Sequence, residues 1–396
     1  MFSAIPFVQG RSDCKSLSES YSDSQFARVW LGDVAKLRPQ IPSHIPLWID
    51  PGIDGLTGFR NPEWVAHIES FSKGGELLDD SGALSSSPRM RAISESFIPS
   101  LLEATTEHAP TWISVPQLAH ANDASSNKAN KELSKATGDW LKTSDFSGKL
   151  ILPVIITSKV QLDSKPSRDN KIKAVLDSIQ NSGSHGIWVV DSSIRDADGK
   201  ESYARDRFPN IIKFHEELQS HSKFPNGQIR IAGPYWAMNL VLWARGLVDH
   251  PAISLGSGFR YYLSGGRPGP SNHRVALSAL RMLIECPPET HSWLTTATEE
   301  LPSTDPAKNE FAALRDDFQT YVTDLKACRK QINAEYRKWI DLIESMPSQG
   351  RAVGLYQDLS SAYVRGTNLS PLPKDKNRSN KPGQVAMNFM MNCLPH

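Results

Sequence analysis

The chain has 396 residues, of which 39% are hydrophobic and 22% charged, with a formal net charge of +1. That length holds one large domain with appendages, or two domains, and the composition is globular. The near-neutral charge gives no bulk electrostatic argument for binding nucleic acid or a membrane surface.

The N-terminal stretch "MFSAIPFVQGRSDCKS" lacks a basic region followed by a long apolar run. No run of about 18 apolar residues occurs, so no membrane span is expected and the cytoplasm is the expected compartment. Cys14, Cys286, Cys328 and Cys393 lie far apart and form no Cys-x-x-Cys pair. Neither a structural zinc site nor a disulfide is expected from that spacing.

Short apolar runs recur in chain order: "PLWIDPG" (46–52), "TWISVPQ" (111–117), "KLILPVIITS" (149–158), "GIWVVDSS" (186–193), "IRIAGPY" (229–235) and "PAISLGSGF" (251–259). Each is short, rich in Ile and Val, and closes on polar or glycine-rich residues. Few alternate strictly, which suits strands covered on both faces in a parallel sheet. Helical periodicity fills the intervals over 87–108, 127–143, 168–183, 208–222 and 235–247. "SIQNSG" ends as a helix should, with glycine after the last periodic residue.

Alternation of strand and helix predicts an α/β protein of βαβ units. No Gly-x-Gly-x-x-Gly follows the first of these strands, and no Gly-x-x-x-x-Gly-Lys-Ser/Thr loop is present. The reading therefore favours a (β/α)8 TIM-like barrel, with room for irregularity, over a doubly wound sheet, and no cofactor is expected. The barrel with an N-terminal extension is placed at 1–300, a long helical segment at 301–346 and a C-terminal segment with a basic flexible loop at 347–396. Between 305 and 344, Phe311, Phe318, Leu325, Ile332 and Trp339 recur every seven residues. Leu314, Tyr321, Cys328 and Leu342 form a second row, interrupted by Glu335. This seam would pair with a protein partner or lie on the barrel, as one long helix or two. Its mixture of bulky aromatics with Cys and Glu favours the barrel.

Barrel enzymes keep their chemistry at the C-terminal ends of the strands. Asp50 and Asp191 stand at two such ends and are the candidate catalytic acids. Gln117, His120, Tyr235, Trp236, Arg260 and Tyr261 are the candidate substrate-binding residues. Aromatic faces stack on a planar ligand, acids accept its N–H groups and arginine clamps phosphate or carboxylate. Asp54, beyond Gly52, reads as a turn residue. No Gly-x-Ser-x-Gly elbow is present, so a Ser-His-Asp triad is not expected.

The order of strand-end residues across 46–266 resembles the tRNA-guanine transglycosylase superfamily, including its DNA-modifying deazaguanine relatives. "IDPGIDGLTGF" is similar to that family's Asp-Ser-Gly-Gly-Phe strand end, and "ISVPQLAHAND" to its Val-Pro-Asp strand end. "IRIAGPYWAMNLVLWARGLVDHPAISLGSGF" is similar to its late strands with their intervening helix. The resemblance implies a (β/α)8 barrel that exchanges or cleaves an N-glycosidic bond of a nucleobase or nucleoside, with nucleic acid as a possible ligand. The chain departs from the family where it reads "SLGSG" in place of a later nucleophilic Asp, at Gln117 in place of Asp, and in lacking zinc-binding cysteines. Those departures fit an alternative, a non-catalytic barrel in a bacterial defence or DNA-modification (including phage defence) assembly. A weaker alternative is a metal-dependent hydrolase using Asp50, His120, Asp123 and Asp191. No metal site is expected otherwise.

Overall fold

A computed structural model describes residues 2–54, 66–68, 70–71, 87–119, 124–192, 194, 206–256, 259, 261, 273–373 and 381–394. Eight parallel strands close into a barrel in sequential order, so the (β/α)8 expectation holds. They are β1 (Ile5–Val8), β2 (Ala27–Trp30), β3 (Leu47–Asp50), β4 (Trp112–Ser114), β5 (Lys149–Ile156), β6 (Gly186–Asp191), β7 (Ile229–Ala232) and β8 (His250–Ser254). Pairing of Ile5 with Ala252 and Phe7 with Ser254 joins β8 to β1 and closes the ring.

The six runs read from the sequence are β3 to β8. The two strands ahead of them, "IPFV" and "ARVW", are four residues each. Helix Lys165–Ser182 starts under a Ser164 cap and stops at Gly183, whose φ of +65° is a left-handed conformation that glycine adopts without cost.

The middle of the barrel is aromatic. The Phe7 ring meets Trp48 at 5.6 Å and Trp188 at 5.2 Å, and the two tryptophans meet at 5.5 Å, all edge-to-face. Such edges place the positive rim of one ring against the negative face of the next. The indole N–H groups are used as well: Trp48 donates to Ser114 Oγ at 2.9 Å and Trp188 to the Gly233 carbonyl at 2.7 Å. β1, β3, β4, β6 and the end of β7 are thereby linked through the interior.

The seam at 305–344 forms three helical segments, Ala307–Asp316, Phe318–Thr323 and Leu325–Glu344, rather than one or two. The last begins at Asp324, whose carboxylate accepts the Lys326 N–H at 2.8 Å. Phe311, Phe318, Ile332, Tyr336 and Trp339 are buried in the chain's own core, while Leu342 is 40% exposed. Tyr21 donates to the Asn333 carbonyl at 2.9 Å, Asn333 Nδ2 to the Leu255 carbonyl at 3.1 Å, and Tyr336 to Asn239 Oδ1 at 2.7 Å. The Leu325–Glu344 helix thus lies along the β8–β1 junction, and the seam faces the barrel. An antiparallel hairpin, β9 (Arg274–Leu277) and β10 (Met282–Glu285), packs beside it. Residues 374–380 of the basic 369–384 loop fall outside the described residues.

No helix among the described residues is long and apolar enough to cross a membrane.

Candidate functional site at the barrel mouth

The site begins with an arginine inside the barrel. Arg28 on β2 stands beside Trp48 in the strand register, and Trp30 stands beside Asp50. Arg28 and Asp50 form an ion pair with side chains 5% and 7% exposed, so neither charge is left to water. The Arg28 guanidinium lies 4.5 Å from the Phe7 ring centre, 4.7 Å from Trp188 and 5.5 Å from Tyr261. Rings at these distances attract a cation through their quadrupoles, most strongly when water is excluded. Burial works against the guanidinium's charge. Asp50, Tyr261 and Asp54 outweigh burial and hold its pKa above the ordinary arginine value.

Asp50 is oriented from both sides. One oxygen takes Arg28 and the other accepts the Gly52 N–H at 2.9 Å. This is an Asx-type turn, and Gly52 completes it with φ +71°. Trp30 braces the same turn by donating to the Pro51 carbonyl at 3.3 Å.

Asp54 does more than shape that turn. Its side chain is buried and accepts the Tyr261 hydroxyl at 2.9 Å. Tyr261 also meets Trp188 edge-on at 4.9 Å. The segment after β8 is thereby tied to the turn after β3 across the barrel mouth. Asp50, Asp54, Arg28 and Tyr261 form one constellation of alternating charge, floored by Trp188.

Asp191 forms a second group. It ends β6 and lies 3.5 Å from Arg207, which precedes helix Phe208–Ser220. Its backbone N–H donates to the Tyr235 hydroxyl. Burial raises the Tyr235 pKa well above the ordinary phenol value, and the charge of Asp191 adds to that. Each expected acid therefore has its own arginine, and Trp188, three residues before Asp191 on β6, contacts the Asp50 group.

The other expected ligand contacts divide. Gln117 gives its amide to the wall: Nε2 donates to the Asn130 carbonyl at 3.2 Å and Ser134 Oγ at 3.0 Å on helix Ala124–Thr143. Trp236 packs against Phe259, Tyr336 and Trp339, and its indole donates to the Arg281 carbonyl at 2.9 Å. It joins the barrel to the C-terminal helices. His120, Asp123 and Arg260 lie outside the described residues. Among the described residues, no group of three or more His, Cys, Asp or Glu side chains is placed to share a metal ion.

Arg28 and Arg207 were not among the residues the sequence pointed to. The signal for Arg28 was a single charge inside the apolar run "FARVW", and that charge kept the run from reading as a buried strand.

No protein-family description matches the chain, and no curated protein does. Among solved structures it is similar to active domain 2 of the thermostable chitinase from Pyrococcus furiosus. The identity is 9% and the TM-score 0.36, over 68% of this chain and 91% of that one. It is also similar to the carboxyl transferase domain of Rhizobium etli pyruvate carboxylase, with 10% identity and a TM-score of 0.38 over 92% of this chain. The chain spans 56% of the length of that structure. Likeness at this level carries no argument about activity.

Proposed function

We propose that the barrel mouth receives a nucleobase or nucleoside, free or within nucleic acid, and exchanges or cleaves its N-glycosidic bond. The observation that carries the reading is the oriented carboxylate of Asp50 at the end of β3, held by Arg28 and the Gly52 N–H. Breaking a glycosidic bond builds positive charge on the sugar. A carboxylate fixed beside that charge stabilises the transition state or captures the sugar covalently. Arg28 supplies orientation; it stays protonated and cannot serve as a base. Asp54 and Tyr261 suit the edge and face of a planar ring, one accepting N–H groups and the other stacking. Asp191, held by Arg207, is the second acid of the reading. The resemblance of the strand ends to base-exchanging barrels supports the same chemistry.

The test is incubation of the full chain with labelled guanine and with purine nucleosides, RNA and DNA, following base release and incorporation. The expected result is turnover by the wild type and a loss of about 100-fold or more in Asp50→Asn. Equal rates in wild type and Asp50→Asn would remove Asp50 from the chemistry.

A second reading is a non-catalytic barrel within a defence or DNA-modification assembly. It is favoured by the depth at which Arg28 neutralises Asp50, and by the lack of an acid in the sequence at Ser254–Gly258. It predicts saturable base binding without turnover.

A further inference from the structure

The end of the barrel opposite the mouth carries a groove of about 750 Å³, where the chain enters β4 and β5. Helices Ser87–Thr106 and Ala124–Thr143 both end at its rim. Its size suits a small molecule.

The lining is acidic. Glu103 and Asp145 both face the groove and are exposed. Among the described residues, neither carboxylate has an ion-pair or hydrogen-bond partner. No Lys, Arg or His lines the groove, and Lys142 beside it is held by Asp139 at 2.8 Å. The two helix C-termini turn their negative ends to the same place. A cation is therefore attracted here, and an anion repelled.

Two rings narrow the kind of cation. Phe146 is half-buried and Trp140 is 6% exposed, with ring centres 5.9 Å apart. Phe146 is seated closely, since a side chain at Gly148 would run into its ring and into the Thr111 carbonyl. A half-exposed ring face draws an organic ammonium, whose charge is weakly hydrated. A metal ion lacks ligands here, because no third acid, His or Cys among the described residues joins Glu103 and Asp145. The Trp140 indole N–H supplies an independent pointer. It has no acceptor among the described residues, yet it is not sealed in the interior, so it opens on the groove that its ring lines. A donor left open on a side chain more than nine-tenths buried calls for an acceptor on the ligand.

We propose that this groove binds a small organic ammonium ion that carries a hydroxyl group. The ammonium lies over Phe146, between Glu103 and Asp145, and the hydroxyl oxygen accepts the Trp140 N–H. Thr143 and Ser144 donate their own hydroxyl protons to the carbonyls of Trp140 at 3.1 Å and Leu141 at 3.3 Å. Their oxygens are thereby turned into acceptors for the ligand's O–H. The site is independent of the reaction assigned to the mouth.

The experiment titrates the folded full chain in a calorimeter with choline and with dimethylbutanol, its uncharged carbon analogue. The expected result is saturable choline binding at a single site with a dissociation constant of about 1 mM or tighter, and binding of the neutral alcohol at least about tenfold weaker. Glu103→Gln/Asp145→Asn should weaken choline about tenfold and leave the melting temperature unchanged, because exposed unpaired carboxylates carry little stability. Trp140→Phe keeps a ring and removes the donor. It should weaken choline by about threefold to tenfold and leave tetramethylammonium, which has no hydroxyl, unaffected. Absence of saturable choline binding by a chain whose melting curve shows it folded would overturn the proposal. So would equal affinity for the neutral alcohol, full affinity in the double variant, or an equal loss for choline and tetramethylammonium in Trp140→Phe.

Discussion

Arg28 and Asp50 sit on adjacent strands and form an ion pair enclosed by Phe7, Trp188 and Tyr261. The pair fills the upper interior of the barrel and orients the one acid that both sequence and structure set at the end of β3. Removing one partner of a buried pair leaves the other charge without compensation. Arg28→Met should therefore destabilise the fold by about 3–5 kcal/mol. The double variant Arg28→Met/Asp50→Leu should recover most of that loss. Urea unfolding followed by tryptophan fluorescence measures both, and equal losses in single and double variants would contradict the assignment.

Tyr336 ties the C-terminal helix to the barrel by donating to Asn239, whose own amide donates to the Ala252 carbonyl at 2.6 Å. Tyr336→Phe keeps the ring against Trp236 and removes only the donor. It should cost about 1–3 kcal/mol, because Asn239 Oδ1 loses that donor in a buried site. Stability indistinguishable from wild type in the same urea assay would mean the bond carries nothing.

Most of the fold was legible because parallel strands covered on both faces read as apolar runs, and six of the eight are long enough, or sufficiently rich in Ile, Val and Trp, to stand out. β1 and β2 were not legible for a physical reason. Length is not that reason, since β3 and β7 also have four residues and β4 three; β1 carries Pro6, and β2 places a charged Arg28 into the barrel, against the rule that buried strand positions are apolar. Asp50 could be found from its position alone. The partner that defines its environment could not, since the pairing joins residues 22 apart through strand register. Asp54 read as a turn residue because an Asp within a Pro-Gly-x-Asp-Gly stretch is usually that. Its tie to Tyr261 spans 207 residues and exists only once the barrel closes. Trp236 and Gln117 were placed correctly at strand ends. A strand end has two faces, and periodicity in short, fully buried strands does not say which face meets the ligand.

Glu310 gives the fold a pH dependence near neutrality. Its carboxylate accepts the N–H groups of Ser278 at 2.5 Å and Ala279 at 3.0 Å. Burial nevertheless raises its pKa from 4.5 to about 7, with Glu335 adding to the rise and Arg281 opposing it. The folded state therefore holds a proton that the unfolded chain has already lost. The associated stability is present below about pH 4.5 and disappears as the pH rises through about 7. Its size is about 3 kcal/mol from the shift alone. Glu310→Gln should flatten the stability profile between those pH values. A profile in Glu310→Gln as steep as in the wild type would show that another group is responsible.

The most direct test of the central claim is a crystal of the full chain soaked with guanine or a purine nucleoside. The account predicts density for the base at the C-terminal ends of β3 and β8, its edge on Asp50 or Asp54 and its face on Tyr261. It also predicts that Asp54→Asn weakens binding by about tenfold in calorimetric titration, the loss of one charge-assisted hydrogen bond. A bound base elsewhere on the molecule, or no binding by a chain whose melting curve shows it folded, would contradict it.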